Sequence, residues 1–299
     1  MQFRLPPTPE PRDRMRSNAS QYELIAPSTL DAVLDILDDP TSQYTPIAGG
    51  TELMVALGAG RLQPRKLISL WNLADLRFIE TTASAITIGA GSTFTDIRNH
   101  SIIATEFPLL AQAASWTGSI ANQNRATIGG NIVNASPAAD SPPALLVYDA
   151  ELVVVSAKHR RTVPYCDFHL SYKKIALAPQ ELVHSIKLAR NTHGYKQYIR
   201  KVGPRNAQAI SKVALAALAR MEKDSIVEIR LGAASLREIP ARLLATELSL
   251  IGKRISSETI AAARKALTGE VKPIDDIRST AKYRTNVAAN LLEEFLRSL

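Results

Sequence analysis

The chain has 299 residues, 45% of them hydrophobic and 21% charged, and a formal net charge of +8. That is enough length and apolar content for two or three folded domains, and it excludes global disorder. No apolar run approaches the roughly 20 residues that span a bilayer, and no secretory-type apolar core follows the start, so a soluble cytoplasmic protein with no transmembrane segment is expected.

Residues 1–20 carry four arginines and four prolines before any periodic pattern begins, and they read as a loose extension. From Tyr22 to about Asp75 the order is helix, strand, glycine turn, helix, strand. Ser28-x-x-Asp31 resembles a capping box opening a helix over residues 30–37. A β-prone run around Tyr44 then enters Ile47-Ala48-Gly49-Gly50-Thr51-Glu52-Leu53, followed by an apolar helical segment over 53–57 and a strand over 66–70. A glycine turn that opens a helix suits phosphate, because backbone N–H groups approach an anion closely where no Cβ intervenes and the helix start adds positive partial charge.

From 78 to about 190 the texture changes to short β-like runs, 86–89, 152–156, 161–163 and 182–188, with helices over 95–100 and 109–116. In the middle lies Ala126-Thr127-Ile128-Gly129-Gly130-Asn131-Ile132-Val133-Asn134-Ala135-Ser136-Pro137-Ala138-Ala139-Asp140. It repeats the paired glycines and adds two asparagines, two hydroxyls and a carboxylate, an inventory suited to a large polar ligand. From Tyr195 onward, strand-like runs over 210–221 and 226–233 precede three amphipathic helices near 243–250, 257–267 and 280–296, which reads as an α+β terminal domain. Trp71 and Trp116 read as core residues.

Cys166 is the only cysteine. An iron–sulfur cluster takes about four thiolates, so this chain alone cannot hold one, and Cys166 reads as a small buried hydrophobe. His100, His159, His169, His184 and His193 show no metal-ligand spacing and read as surface or hydrogen-bonded structural residues, so no metal is expected. Charge is uneven: between 157 and 205 stand eleven lysines and arginines against only Asp167 and Glu181. This segment reads either as a solvated face or as one turned toward an anionic cofactor or acidic partner. Tyrosines lie among the basic residues, but no nucleic-acid fingerprint accompanies them and no nucleic-acid partner is expected. Gly89-x-Gly91 lacks the third glycine of a dinucleotide fingerprint, and no Walker-type loop occurs.

The run Gln123-Asn124-Arg125-Ala126-Thr127-Ile128-Gly129-Gly130-Asn131, continuing through Ala135-Ser136-Pro137-Ala138-Ala139-Asp140 and Pro143-Ala144-Leu145-Leu146, resembles the FAD-binding medium subunit of the molybdenum hydroxylases. This is the xanthine dehydrogenase and aerobic carbon monoxide dehydrogenase family. The resemblance extends to Ala48-Gly49-Gly50-Thr51-Glu52, to Pro179-x-Glu181-Leu182, and to Arg200-Lys201-Val202-Gly203-Pro204-Arg205-Asn206-Ala207-Gln208-Ala209-Ile210-Ser211. Asn206 and Ala209 stand where relatives often carry a basic and an acidic residue.

The resemblance implies an α+β chain. A two-subdomain α/β FAD-binding fold of the PCMH type, like that of vanillyl-alcohol oxidase, would cover 21–190, with subdomains of about 21–75 and 76–190. A C-terminal α+β domain with a small antiparallel sheet and helices would cover 195–299. It implies FAD contacts from Ile47, Ala48, Gly49, Gly50, Thr51, Glu52 and Leu53, and from Ala126, Thr127, Gly129, Gly130, Asn131, Val133 and Asn134 around the pyrophosphate. Thr117, Gly118, Asn122 and Val183 would form walls, with Ala139 and Asp140 close by and Lys201 near the flavin ring. It implies no catalytic residue for substrate hydroxylation here. Molybdopterin would sit on a large partner subunit and [2Fe-2S] clusters on a small one, assembled as a dimer of heterotrimers that passes electrons to a diffusible acceptor such as NAD or a quinone. A free-standing FAD-dependent oxidoreductase or diaphorase, and a basic binding module, remain as alternatives.

Overall fold

In the computed structural model the described residues are 19–63 and 65–299. All but the last two residues of the expected N-terminal extension lie outside them. The first module runs β1 (Glu23–Ile25), α1 (Leu30–Asp38), β2 (Thr45–Ile47), α2 (Leu53–Gly58) and β3 (Lys66–Ser69). β3 pairs in parallel with both other strands, giving the order β1-β3-β2. The helix-start residue is Thr29, whose hydroxyl accepts from the Ala32 amide, and not Ser28 one position earlier. Buried Val33, Leu34 and Leu37 pack with Ile68, and this small core also takes in Val155 and Leu182 of the next module.

The second module opens with β4 (Ile79–Thr81) and β5 (Ala85–Gly89). A helical run follows: α3 (Phe94–Asn99), α4 (Ser101–Glu106), α5 (Pro108–Trp116), α6 (Ile120–Gln123), α7 (Ile128–Val133) and α8 (Pro142–Val147). It then returns through β6 (Glu151–Val155), β7 (Arg160–Pro164), the short hairpin β8 (His169–Ser171) and β9 (Lys174–Ile175), and β10 (Leu182–Ala189). The antiparallel sheet has the order β4-β5-β10-β6-β7. Most of these helices are one or two turns long, too short to stand without tertiary packing. Phe94, Ile97, Phe107 and Leu110 bury them against Ile86 and Ile88 of β5 and Ile186 of β10.

The C-terminal part contains β11 (Lys196–Val202), β12 (Val213–Glu222), β13 (Ser225–Ala234) and β14 (Ala241–Arg242), in an antiparallel sheet of that order. The helices α9 (Leu244–Leu250), α10 (Ser257–Glu270) and α11 (Ala281–Arg297) follow. β12 is buried on both faces. Ala216 and Leu218 join the core of the second module, whereas Val213, Leu215, Ala217 and Ala219 face α10 and α11. Double burial explains its unbroken apolar run where a half-exposed strand would alternate.

Several side chains depart from expectation. Cys166 is exposed. Trp71 and Trp116 are half-buried. His169 is buried, and neither ring nitrogen has a hydrogen-bond partner. The basic segment is dispersed into ion pairs rather than gathered into a free cationic face: Lys158 meets Asp38, Arg161 meets Glu181, Lys187 meets Glu151, Arg190 meets Glu106, and Arg200 meets Glu294.

Phe295 of α11 is 1% exposed, and its ring lies 5.4 Å from that of Tyr198 on β11. Phe295→Ala is expected to cost about 3–5 kcal/mol, read as a lowered urea midpoint at unchanged slope. A loss below about 1 kcal/mol would contradict the packing described.

Candidate flavin site

A cleft of about 920 Å³ runs between the first module and the second and reaches the start of the C-terminal part. Nineteen of the residues expected at the site line it. They are Ala48, Gly49, Gly50, Thr51, Glu52 and Leu53; Thr117, Gly118 and Asn122; Ala126, Thr127, Gly129, Gly130, Asn131, Val133 and Asn134; and Ala139, Asp140 and Val183. Ile47 and Lys201 are not on its surface. Leu70, Ala90, Gly91, Lys173, Leu177 and Ala178 line it as well, without having been singled out.

The two glycine motifs do different work. A Cβ built on Gly49 would stand 1.7 Å from the Arg125 carbonyl oxygen, so glycine is required there for the first turn to meet the loop ahead of the second. The Arg125 guanidinium lies 3.7 Å from the Trp71 ring centroid, and Arg77 lies 5.5 Å from it, which ties that loop to the chain after β3. Past this contact the backbone N–H groups of Gly49, Gly50, Thr51 and Glu52 make no hydrogen bond with any described residue. Consecutive free amides at a turn form a ready anion cradle.

In the second motif the amides are spent internally. Ile128 donates to the Ser92 carbonyl, Gly129 to the Ala90 carbonyl, and Gly130 to the Thr127 hydroxyl, which caps α7. Gly130 lines the cleft, and a Cβ there would meet only that hydroxyl, at 3.0 Å. This motif supplies a flat wall against which a ligand can lie, plus side-chain amides. Asn131 accepts from Ser141, and Asn134 takes the Lys173 ammonium on both its carbonyl and its side-chain oxygen, at 2.5 and 2.9 Å. Lys173, at the tip of the β8–β9 hairpin with φ +58°, is the single lysine or arginine on the cleft wall among the described residues.

Lys201 on β11 sits behind the wall. Its ammonium donates to Asp140 at 2.6 Å and to the Trp116 carbonyl at 3.1 Å, while Ser211 donates to the other Asp140 oxygen at 2.7 Å. Burial pushes the Asp140 carboxyl above its ordinary value, against the opposing pull of Lys201 and Ser211.

Glu181 also lines the cleft. Its buried carboxylate accepts both arms of Arg161 at 2.7 Å and the Ala178 amide at 2.8 Å, and the same guanidinium donates to the Ala176 carbonyl. The Arg161 bonds hold the Glu181 pKa down to about 2 from 4.5. The stabilisation is therefore present above pH 4.5 and fades as pH falls toward 2. Glu181→Gln is expected to lower Tm at pH 7, with the gap to wild type closing between pH 4.5 and pH 2 in circular-dichroism melts. A gap that stays constant to the acid limit would show that the charge on Glu181 contributes nothing.

Residues 20–190 match the family described as FAD binding domain in molybdopterin dehydrogenase, and residues 198–299 match the CO dehydrogenase flavoprotein C-terminal domain. The glyceraldehyde dehydrogenase medium chain of Sulfolobus acidocaldarius is 28% identical over 268 residues, covering 89% of this chain and 94% of its own. The carbon monoxide dehydrogenase medium chain of Hydrogenophaga pseudoflava is 27% identical over 282 residues, covering 93% and 96%. The solved carbon monoxide dehydrogenase of that organism superposes with a TM-score of 0.88 at 27% identity, over 92% of this chain and 96% of that one. A cleft built on both glycine motifs, together with a match that spans the two parts of the chain, places this protein in the FAD-binding medium-subunit family of the molybdenum hydroxylases.

Proposed function

We propose that this chain holds FAD as the electron-transfer subunit of a multi-subunit molybdenum hydroxylase, taking electrons from iron–sulfur clusters on a small partner and passing them to a diffusible acceptor such as NAD or a quinone. The observation that carries the reading is that both glycine motifs, nearly 80 residues apart in sequence, face one cleft. When bound, FAD supplies a group that exchanges electrons singly or in pairs.

The chain's own residues bind and orient. The amides of Gly49–Glu52, which bond to no described residue, would receive the pyrophosphate, with Gly130 of α7 offering an unobstructed wall and Lys173 the one positive charge on the described lining. Leu53, Val133, Leu177, Val183 and Ile210 line the cleft with apolar surface that would shield a bound isoalloxazine from water. A large molybdopterin-bearing subunit and a small [2Fe-2S] subunit complete the enzyme, in a dimer of heterotrimers. The lone thiol, Cys166, requires the clusters to lie elsewhere.

Purified chain mixed with FAD should show flavin absorption bands after desalting, and chain recovered from its native host should carry molybdenum and iron. Flavin without metal-bearing partners, together with NADH-to-dye turnover by the isolated chain, would point instead to a free-standing diaphorase. A chain that cannot be loaded with FAD would contradict both. Gly130→Leu should weaken FAD binding by about 100-fold or more in a fluorescence titration, equivalent to about 2.7 kcal/mol, with an unchanged circular-dichroism spectrum. Wild-type affinity in that variant would remove α7 from the site.

A further inference from the structure

The C-terminal sheet grips the cleft wall at one short loop, 137–140. Ser235, just past β13, donates its amide to the Pro137 carbonyl at 2.8 Å, and its hydroxyl donates to the Ser211 carbonyl at 2.9 Å. Ser211, 1% exposed, holds one oxygen of Asp140, and Lys201 holds the other. Lys201 and Asp140 are 9% and 10% exposed along their side chains, so the pair is shielded from bulk water. Asp140 lines the cleft and Lys201 does not.

We propose that Lys201 and Asp140 act on the bound flavin as one paired charge, the ammonium cancelling the carboxylate at the wall, so that the two residues set the flavin's reduction potential in opposite directions. Lys201 is thus a positioning residue that acts through Asp140 and brings the C-terminal domain into the flavin's electrostatics. The geometry differs from that of a lysine reaching the ring directly, since two of the ammonium's three protons are already given to Asp140 and the Trp116 carbonyl. Reduction adds negative charge to the flavin. A lone cation at the wall favours that change and a lone anion opposes it, and in a water-poor site neither effect is screened away.

The inference rests on FAD occupying the cleft, so the test begins with wild-type chain shown to retain FAD. Lys201→Met, Asp140→Asn, the double variant and Lys201→Arg are loaded with FAD, and midpoint potentials are read by spectroelectrochemistry at pH 9. Asp140→Asn should raise the potential and Lys201→Met should lower it. Each shift corresponds to about a tenfold change in the affinity for reduced relative to oxidised FAD, or about 1.4 kcal/mol. The double variant and Lys201→Arg should return close to wild type.

Shifts of the same sign in both single variants, or no shift in either, would overturn the pairing while leaving FAD binding established. Failure of the wild-type chain to take up FAD would instead overturn the reading on which the inference rests. Should Asp140→Asn fail to fold, Asp140→Ser takes its place: a raised potential beside the lowered one of Lys201→Met supports the pairing, and equal potentials refute it.

Discussion

Gly49 lies against the Arg125 carbonyl so closely that no other residue fits, and this contact fixes how the first module meets the second. Arg125 secures it twice, with its backbone against Gly49 and its guanidinium stacked on Trp71. Val155 and Leu182, buried in the core of the first module, extend the same interface beneath the cleft. With that interface set, the first turn, whose amides bond to no described residue, lines one cleft together with α7 and the loop carrying Asp140. The bringing together of the two glycine motifs on one cleft follows from this backbone approach.

Electrostatics in the cleft are arranged with little net charge. Among the described residues lining it, Lys173 is the only formal cation; of the three carboxylates, Asp140 and Glu181 are each engaged by a basic partner off the cleft surface, and Glu52 is exposed at the first turn. An anionic ligand there would be met mainly by backbone dipoles, which are fixed by the fold and lose no side-chain entropy on binding. The same economy appears in the basic segment from 157 to 205. Its charges reach acids on other elements, including α1, α4 and α11, and so stitch the modules together.

Both glycine motifs, the α+β character and the three C-terminal helices are legible in the sequence because glycine pairs at helix starts and apolar periodicity are local signals. What escaped has a nonlocal cause. β11 carries Lys196, Arg200 and Lys201 and shows no clean alternation, since the adjacent Arg200 and Lys201 near its C-terminal end are held by Glu294 of α11 and by Asp140. Thr29 and Ser28 are equally good caps on paper, and only the backbone angles at Thr29 decide between them. The role of Gly49 as a contact point was hidden, because glycine at a turn reads the same whether it faces a ligand or another stretch of backbone. Lys173 stood out from the other ten basic residues of its segment by no local signal: it enters the cleft wall through a hairpin whose tip is set by a positive φ and by its bonds to Asn134.

The central claim is that the first turn, with its free amides, is what receives the cofactor's anionic group. Hydrogen exchange of the chain with and without FAD tests this directly, because amides already bonded within the fold change little whereas free ones gain a partner. The account predicts that the largest gain in protection falls on the peptide containing Gly49–Glu52, with a smaller effect over α7. Protection that leaves Gly49–Glu52 unchanged while appearing elsewhere would contradict it.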